Sequence, residues 1–477
     1  MIQKPDRKKG CKTSTMTDRN ITTEETSSAS VASPEPFYGS FMFGVALTFA
    51  TRVLMLAGVF IAGVIVARSL GPEGFGAFAV LNVTVALALQ MGSAGLPSAN
   101  TYFIARDRKV LAPIWANAIL FGLVVGVLLT IVVVAIAWLK PTLFGGVSVK
   151  LVSVAAVSIP FQLLTLLGLN VLLAMDRIRQ LNLFDSLAPA LALLNAVVVL
   201  IILRGSLLTL VAANTAAAAI LSLVLVLVLG RALKRQQQPR PAQPDIHLLK
   251  EMLAYGVKFY ISIMAGAIIF RADLLIVNHF RGEAEAGVYA VASQVSFLLL
   301  MLPGVIATLL FPRVASSRDQ RGEFTVQVTR HTALLMLATC VAAAAGSFIL
   351  PLVYGARFSD ATMQLLILLP GVLLMGLESV LVQHFTGTGL PWTIAIFWII
   401  TLLINVGSNL LVVPVYGARG AATTSSISYA LIFTLVTVYF CIKTGRRPAE
   451  IFLLRSAELK SLVKSIRWSS SPTKVPQ

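Results

Sequence analysis

ARSLGPEGFGAFAV, residues 67–80, interrupts a long apolar run with glycine, proline and charge, and a related stretch, HFRGEAEAGVYAV, recurs at residues 279–291. Gly71, Gly76, Phe78, Ala79 and Val80 stand 211 residues before Gly282, Gly287, Tyr289, Ala290 and Val291. At a spacing of 210, Pro141 matches Pro351, Pro160 matches Pro370 and Asn195 matches Asn405. Four separated segments agree to within one residue, so the chain is an internal repeat of two halves. Gly71, Gly74 and Gly76 permit a tight turn and Pro72 cannot continue a helix, so the stretch reads as a turn between two helices.

The surrounding sequence says what kind of helices these are. Of 477 residues 57% are hydrophobic and 12% charged, with a mean hydropathy of +0.86; soluble domains carry about 25% charge. A bilayer core takes about 20 apolar residues per crossing. Runs of that length fall near 39–67, 75–104, 112–138, 147–175, 180–203, 207–230, 252–279, 286–312, 329–350, 361–386, 391–413 and 420–442, about twelve spans in all. The fold class is therefore all-α integral membrane, with two pseudo-symmetric six-helix lobes. An even number of spans per lobe makes the repeats parallel, an architecture of secondary transporters in which substrate sits between the lobes.

Charge alternates between successive loops. One set holds Arg106, Arg108 and Lys109; Arg177 and Arg179; Arg231, Lys234, Arg235 and Arg240; and Arg313, Arg318, Arg321 and Arg330, whereas the other is sparse. Lys and Arg are retained on the cytosolic side, so both termini are expected there. Topology thus explains the net charge of +18 without nucleic acid as a partner. The domain reading is a polar tail at 1–36, a first lobe at 37–230, a linker at 231–250, a second lobe at 251–443 and a basic tail at 444–477. In that last tail Phe452, Leu459, Leu462, Val463 and Ile466 share one helical face, as in a helix lying on an anionic membrane surface. Cys11, Cys340 and Cys441 lack metal or redox spacing, so neither a disulfide nor a bound metal is expected.

Three stretches carry a resemblance: ARSLGPEGFGAFAV after the first span, FRADLLIVNHFRGEAEAGVYAVASQVSFLLLMLPGVIATLLFPRVA at 270–315, and NLLVVPVYGARGAA at 409–422. In their order and spacing, over about residues 40 to 443, they resemble the polysaccharide transporter (Wzx-type) family of the multidrug/oligosaccharidyl-lipid/polysaccharide exporter superfamily. The resemblance implies two six-helix lobes in a V around a central cavity. It also implies a flippase that moves a polyprenyl-diphosphate-linked oligosaccharide to the outer leaflet of the bacterial cytoplasmic membrane. A polysaccharide polymerase and export machinery would be its partners.

Charges inside a membrane span are costly and mark candidate sites. Arg52, halfway along the first span, either faces the cavity and binds the substrate diphosphate through its guanidinium fork or pairs with Asp273 or Glu378. Arg271 and Asp273 lie two residues apart toward the outer end of the seventh span and so point in different directions; at least one is expected to face the cavity, and both are candidate substrate contacts. Lys258, in the first turns of that span, is placed to snorkel to headgroups. Asn82, Ala86, Gln90, Ser93 and Pro97 form a small, polar stripe on the second span, suited to close packing or to lining a sugar path; Asn82 and Gln90 are the candidate substrate contacts. Glu378, near the inner surface with Asp185, Gln383 and His384, either binds a coupling H⁺ or Na⁺ or pairs at the interface, and Asp273 is the second candidate for coupling. Pro160 and Pro370 are candidate hinges, since each removes a backbone hydrogen bond within a span.

The chain has no G-x-x-x-x-G-K-[ST] loop, so hydrolysis of nucleotide by the chain itself is not expected. No cofactor is expected beyond a coupling ion. A drug/cation antiporter of the same fold is the alternative, although a cation substrate favours acidic cavity residues and the first span offers Arg52. A membrane polymerase or ligase acting on lipid-linked sugars would need a sizeable outer loop for its catalytic groups, and the outer loops here are short. The expectation is a transporter and not an enzyme.

Overall fold

In the computed structural model the described residues are 37–235, 243–317, 319, 321–388 and 391–452, with side chains described from Leu54 on apart from a few positions. The chain divides into a unit of residues 1–48, of which 37–48 are helical, and a unit beginning at Phe49 that holds every contact discussed below. The first half comprises α1 (Phe37–Ser93), α2 (Leu96–Arg106), α3 (Leu111–Leu139), α4 (Val149–Ala156), α5 (Ile159–Ala174), α6 (Ile178–Ala196) and α7 (Leu207–Arg235). The second comprises α8 (Ile246–Ile269), α9 (Ala272–Arg281), α10 (Glu283–Ser317) and α11 (Glu323–Gly346). It continues with α12 (Leu350–Tyr354), α13 (Asp360–Thr388), α14 (Trp392–Thr444) and α15 (Pro448–Phe452).

Among the described residues ten helical stretches are long and apolar enough to cross a membrane, and two of these double back. Along an unbroken α14, Asn405 and Ser428 would lie about 35 Å apart. Instead the Asn405 amide donates to the Ser428 hydroxyl at 3.0 Å, because the helix reverses at Gly417 (φ 59°, ψ −144°). In α1, Phe60 and Phe75 both pack on the ring of Tyr354, at 5.8 and 6.3 Å between centroids, because the helix turns at Gly71 (φ 70°, ψ −176°). Gly282, the repeat partner of Gly71, has nearly the same backbone (φ 86°, ψ 176°) between α9 and α10. That region of φ/ψ is open essentially to glycine alone. Counting the two hairpins, about twelve crossings result, as the sequence predicts. Large apolar side chains such as Leu403, Leu411, Val415 and Ile442 point outward from the bundle, as a hydrocarbon surround requires.

Several spans are not the continuous helices that hydropathy suggests. The second breaks at Ala94 and Gly95, both at positive φ, between α1 and α2. The fourth breaks at 157–158, just before Pro160, and the seventh at Phe270–Arg271. The linker read at 231–250 is in part helical: α7 runs on to Arg235 and α8 starts at Ile246. Its end is anchored to α3, where the Asn117 side chain both donates to the Asp245 carbonyl and accepts from the Asp245 N–H, each at 2.9 Å. The tail read from 444 begins docked, with Arg446 bridging Glu323 and Glu450 and with Ile451 buried. The remainder of the proposed surface helix, from residue 453, lies outside the described residues.

Candidate functional site

The loops form two rims, and the halves meet at both. At the rim of Gly71 and Gly282 the contacts are exchanged symmetrically. Arg68 donates from Nε to the Val353 carbonyl at 2.6 Å and from its terminal nitrogen to that of Leu352 at 2.5 Å. His279, 211 residues on, bonds through Nδ1 to the Thr142 carbonyl at 2.7 Å, 210 residues before Leu352. Between these seals the backbones of Gly76 and Gly287, a repeat-related pair, lie against each other. A β-carbon on Gly76 would collide with the Glu283 carbonyl, and one on Gly287 with that of Pro72.

At the other rim, which carries Arg106, Arg177 and Arg231, a second glycine pair joins the halves. A β-carbon on Gly95 would lie 2.5 Å from the Gly256 carbonyl oxygen, and one on Gly256 would lie 2.7 Å from that of Gly95. This contact accounts for the break in the second span, since the Gly95 backbone leaves the helix to meet α8. Tyr260 donates to the Met91 carbonyl at 2.8 Å, and Tyr102 stacks on Tyr255 at 4.4 Å between centroids.

Asp273 opens α9 and is only 3% exposed. A buried carboxylate costs several kcal/mol unless its lone pairs are met. Here they are met by hydroxyls and backbone rather than by a cation. Tyr289 on α10 donates at 2.5 Å, Ser425 on α14 at 3.0 Å and the Leu274 N–H at 2.7 Å. A cavity of about 10 Å³ lies alongside, lined by Asp273, Tyr289, Ser293, Ser296 and Tyr429 among others, enough for one water or small ion. The polar seam continues along the α14 hairpin. Thr424 donates to Asn409 at 2.6 Å, Asn409 to the Asn405 carbonyl at 3.0 Å, and Asn405 to Ser428. The sequence reading missed Tyr289 and Ser425 as partners of Asp273. The signal was present in the run Thr423, Thr424, Ser425 and Ser426 within an otherwise apolar span.

The other candidates are scattered. Arg271 caps α9 in a non-helical conformation instead of lying within one continuous seventh span, which is what separates it from Asp273. It is half-buried and makes no ion pair with a carboxylate among the described residues. Arg52 is helical, but its side chain lies outside the described residues, as does that of Lys258. The proposed stripe on the second span is divided: Asn82 is exposed and donates to the Phe78 carbonyl of its own helix at 3.0 Å, Gln90 is half-buried, and Ser93 is buried next to the break. Glu378 is 1% exposed, and among the described residues it makes no ion pair and its Oε1 has no hydrogen-bond partner.

Both prolines leave backbone groups that other helices satisfy. Pro160, in the first turn of α5, cannot donate to the Ala156 carbonyl, and Thr130 of α3 donates there at 2.9 Å. Pro370 stands inside the continuous α13, and the N–H of Gly371 beside it donates to the Ser426 hydroxyl of α14 at 2.9 Å.

Known proteins share this architecture. The solved structure of the lipid II flippase MurJ in its inward closed conformation superposes with a TM-score of 0.72, covering 90% of this chain and 94% of that one at 15% identity. An inward-facing multidrug resistance MATE family transporter of the MOP superfamily gives 0.68, with 87% and 96% covered at 16% identity. Among curated sequences, the probable low-salt glycan biosynthesis flippase Agl15 of Haloferax volcanii is 20% identical over 195 residues, 40% of this chain and 41% of the relative's length. The fold is thus the one shared by MurJ and the MATE transporters. Residues 44–318, more than half of the chain, match the polysaccharide biosynthesis protein family, and the chain belongs to that family.

Proposed function

We propose that this protein is a flippase for lipid-linked oligosaccharides that works by alternating access in the bacterial cytoplasmic membrane with both termini in the cytosol. Family membership supplies the substrate class, and the relatives named as flippases of lipid II and of glycan biosynthesis support it. The observation that carries the mechanism is the pair of glycine contacts. Gly76 with Gly287 closes one rim and Gly95 with Gly256 joins the halves at the other. Backbone-to-backbone contacts of this kind hold by close approach alone and part without leaving a buried charge. The halves can therefore rock, with Pro160 and Pro370 as the flexible points of their helices.

In this reading Arg271 and Arg52 attract the substrate diphosphate, for which a guanidinium offers two parallel donors. Asn82 and Gln90 face the sugars, and the polyprenyl tail stays in lipid. Asp273 binds the coupling H⁺ or Na⁺ in its small cavity and exchanges hydroxyl partners for it. Glu378, with an unpartnered oxygen, is the second candidate for that role. A polysaccharide polymerase and export machinery take the product outside.

The test is surface glycan in a strain lacking its own polysaccharide flippase, with wild type, Arg52→Ala and Arg271→Ala at matched expression. Restoration that either substitution abolishes supports the reading. Dye efflux without restored glycan across a panel of repeat units would assign the chain to the drug/cation antiporters instead.

A further inference from the structure

From the basic rim we infer that the first half carries a binding site for the phosphate headgroup of a membrane lipid, separate from the substrate path. A cavity of about 190 Å³ opens there between the α5–α6 connection and the last turns of α7, lined by Arg177, Gln180, Val228, Arg231, Ala232 and Arg235. It is many times the volume of the one-water cavity beside Asp273, ample for a phosphate group.

Retention of positive charge on one side of the membrane explains why these arginines are on this rim, but not why three of them converge on one cavity. Like charges brought together repel. The ion pairs on this rim use His247 and Arg446, and none of the three cavity arginines has a carboxylate within salt-bridge distance among the described residues. Arg177 is instead oriented by a neutral group, donating to Gln180 Oε1 at 3.2 Å. Arg231 and Arg235 stand four residues apart, so they share a face of α7. Three guanidiniums over an apolar floor of Val228 and Ala232 make a site suited in charge and size to a phosphate group.

The surface of α7 indicates that the anion is attached to a lipid. Ile220, Leu223, Val224 and Leu227 are exposed and fall at helical spacing on the turns leading to Arg231. Acyl chains lying along that track would present a headgroup at the cavity mouth. A soluble phosphate would gain nothing from it.

The experiment uses the full chain in neutral phosphatidylcholine nanodiscs and measures binding of labelled phosphatidylglycerol. Three arginines near a membrane surface contribute enough that Arg177→Gln with Arg231→Gln and Arg235→Gln should weaken binding about 100-fold, and Arg231→Gln alone about fivefold. The single substitution is at an exposed position and keeps the test open should the triple variant fold poorly. A control removing Arg106, Arg108 and Lys109 by substitution to Gln, on the same rim, should leave binding within twofold of wild type. An equal loss in the control would overturn the site in favour of diffuse attraction. Displacement by millimolar inorganic pyrophosphate as effective as by phosphatidylglycerol would overturn the lipid assignment, and so would equal binding of labelled phosphatidylcholine. None of these readouts depends on transport, so the site can fail while the flippase reading stands.

Discussion

The two halves share a backbone but not a chemistry. At equivalent positions the second half has Asp273, Tyr289, Asn405, Thr424 and Ser425, and the first has Ala62, Phe78, Asn195, Asn214 and Thr215. Both sets put a side-chain bond between the last two spans of their half: Asn195 donates to Asn214 at 2.9 Å, as Asn405 does to Ser428 at 3.0 Å. Among the described residues only the second half adds a buried carboxylate and the hydroxyls that satisfy it. Duplication supplies the glycine turn twice, and among the described side chains a buried carboxylate met by hydroxyls is built into one copy alone. A coupling ion bound there would bias one half against the other, which a symmetric pair of charges would not do.

The comparison breaks most completely where the halves touch. Gly76→Val or Gly287→Val places a side chain against the partner's backbone, which cannot move aside. Either variant is expected to abolish restored surface glycan and to leave cysteines introduced near Arg68 permanently open to a membrane-impermeant thiol reagent. Normal glycan from both would remove the glycine contact from the mechanism.

Next in size is the carboxylate. Ala62→Asp puts it where no hydroxyl pair awaits it, toward the outer end of the span, at a cost below the roughly 3 kcal/mol of an Asp at a span centre. Lower yield and lower thermal stability are expected. Asp273→Ala is the converse and leaves the Tyr289 and Ser425 hydroxyls without their acceptor, at about 1–3 kcal/mol. Asp273→Asn keeps an acceptor and should fold, yet lose any dependence of transport on Na⁺ or on a proton gradient. Unchanged ion dependence in Asp273→Asn would transfer the coupling role to Glu378.

How much of this was visible in the chain follows from what each signal measures. Hydropathy reports the cost of moving side chains into hydrocarbon, and it found the spans. The repeat at Gly71 and Gly282 was legible because a backbone open only to glycine leaves a mark in sequence. The breaks at Ala94–Gly95, at 157–158 and at Phe270–Arg271 were not, because what accompanies them is distant in sequence: Gly256 packs against the Gly95 backbone, and Thr130 donates to the Ala156 carbonyl. Asp273 stood out as a charge in an apolar span. Its partners did not, because Tyr289 read as a repeat marker and Ser425 as one of several small residues. Arg271 and Asp273 were expected to diverge as neighbours on one helix, and they do diverge, but by a break between helices.

The two prolines differ in who supports the backbone beside them, so the halves separate further. Thr130→Ala removes the donor to the Ala156 carbonyl in the first half, and Ser426→Ala removes the acceptor for the Gly371 N–H in the second. Each costs about 1 kcal/mol, the worth of one hydrogen bond. If the prolines are hinges, Pro160→Ala and Pro370→Ala should slow glycan transport more than Thr130→Ala or Ser426→Ala does. Normal transport in both proline variants would retire the hinge role.

The smallest effects belong to the seals beside Gly76 and Gly287. Arg68 and His279 occupy equivalent positions and bond to carbonyls of equivalent loops, so the fold gives no reason for their contributions to differ. Their chemistry does. Arg68 is a fixed charge with two bonds, at 2.6 and 2.5 Å. His279 makes one, and because a carbonyl only accepts, Nδ1 must carry the proton. Both side chains are exposed, so water takes up the freed carbonyls and each loss stays near 1 kcal/mol. Arg68→Ala should therefore favour the open rim more than His279→Ala does, read as faster thiol labelling on that side. The double variant should exceed the sum only if the two seals close together as one unit. Additive labelling rates would mean that the two seals open independently and that the glycine pair alone coordinates the rim.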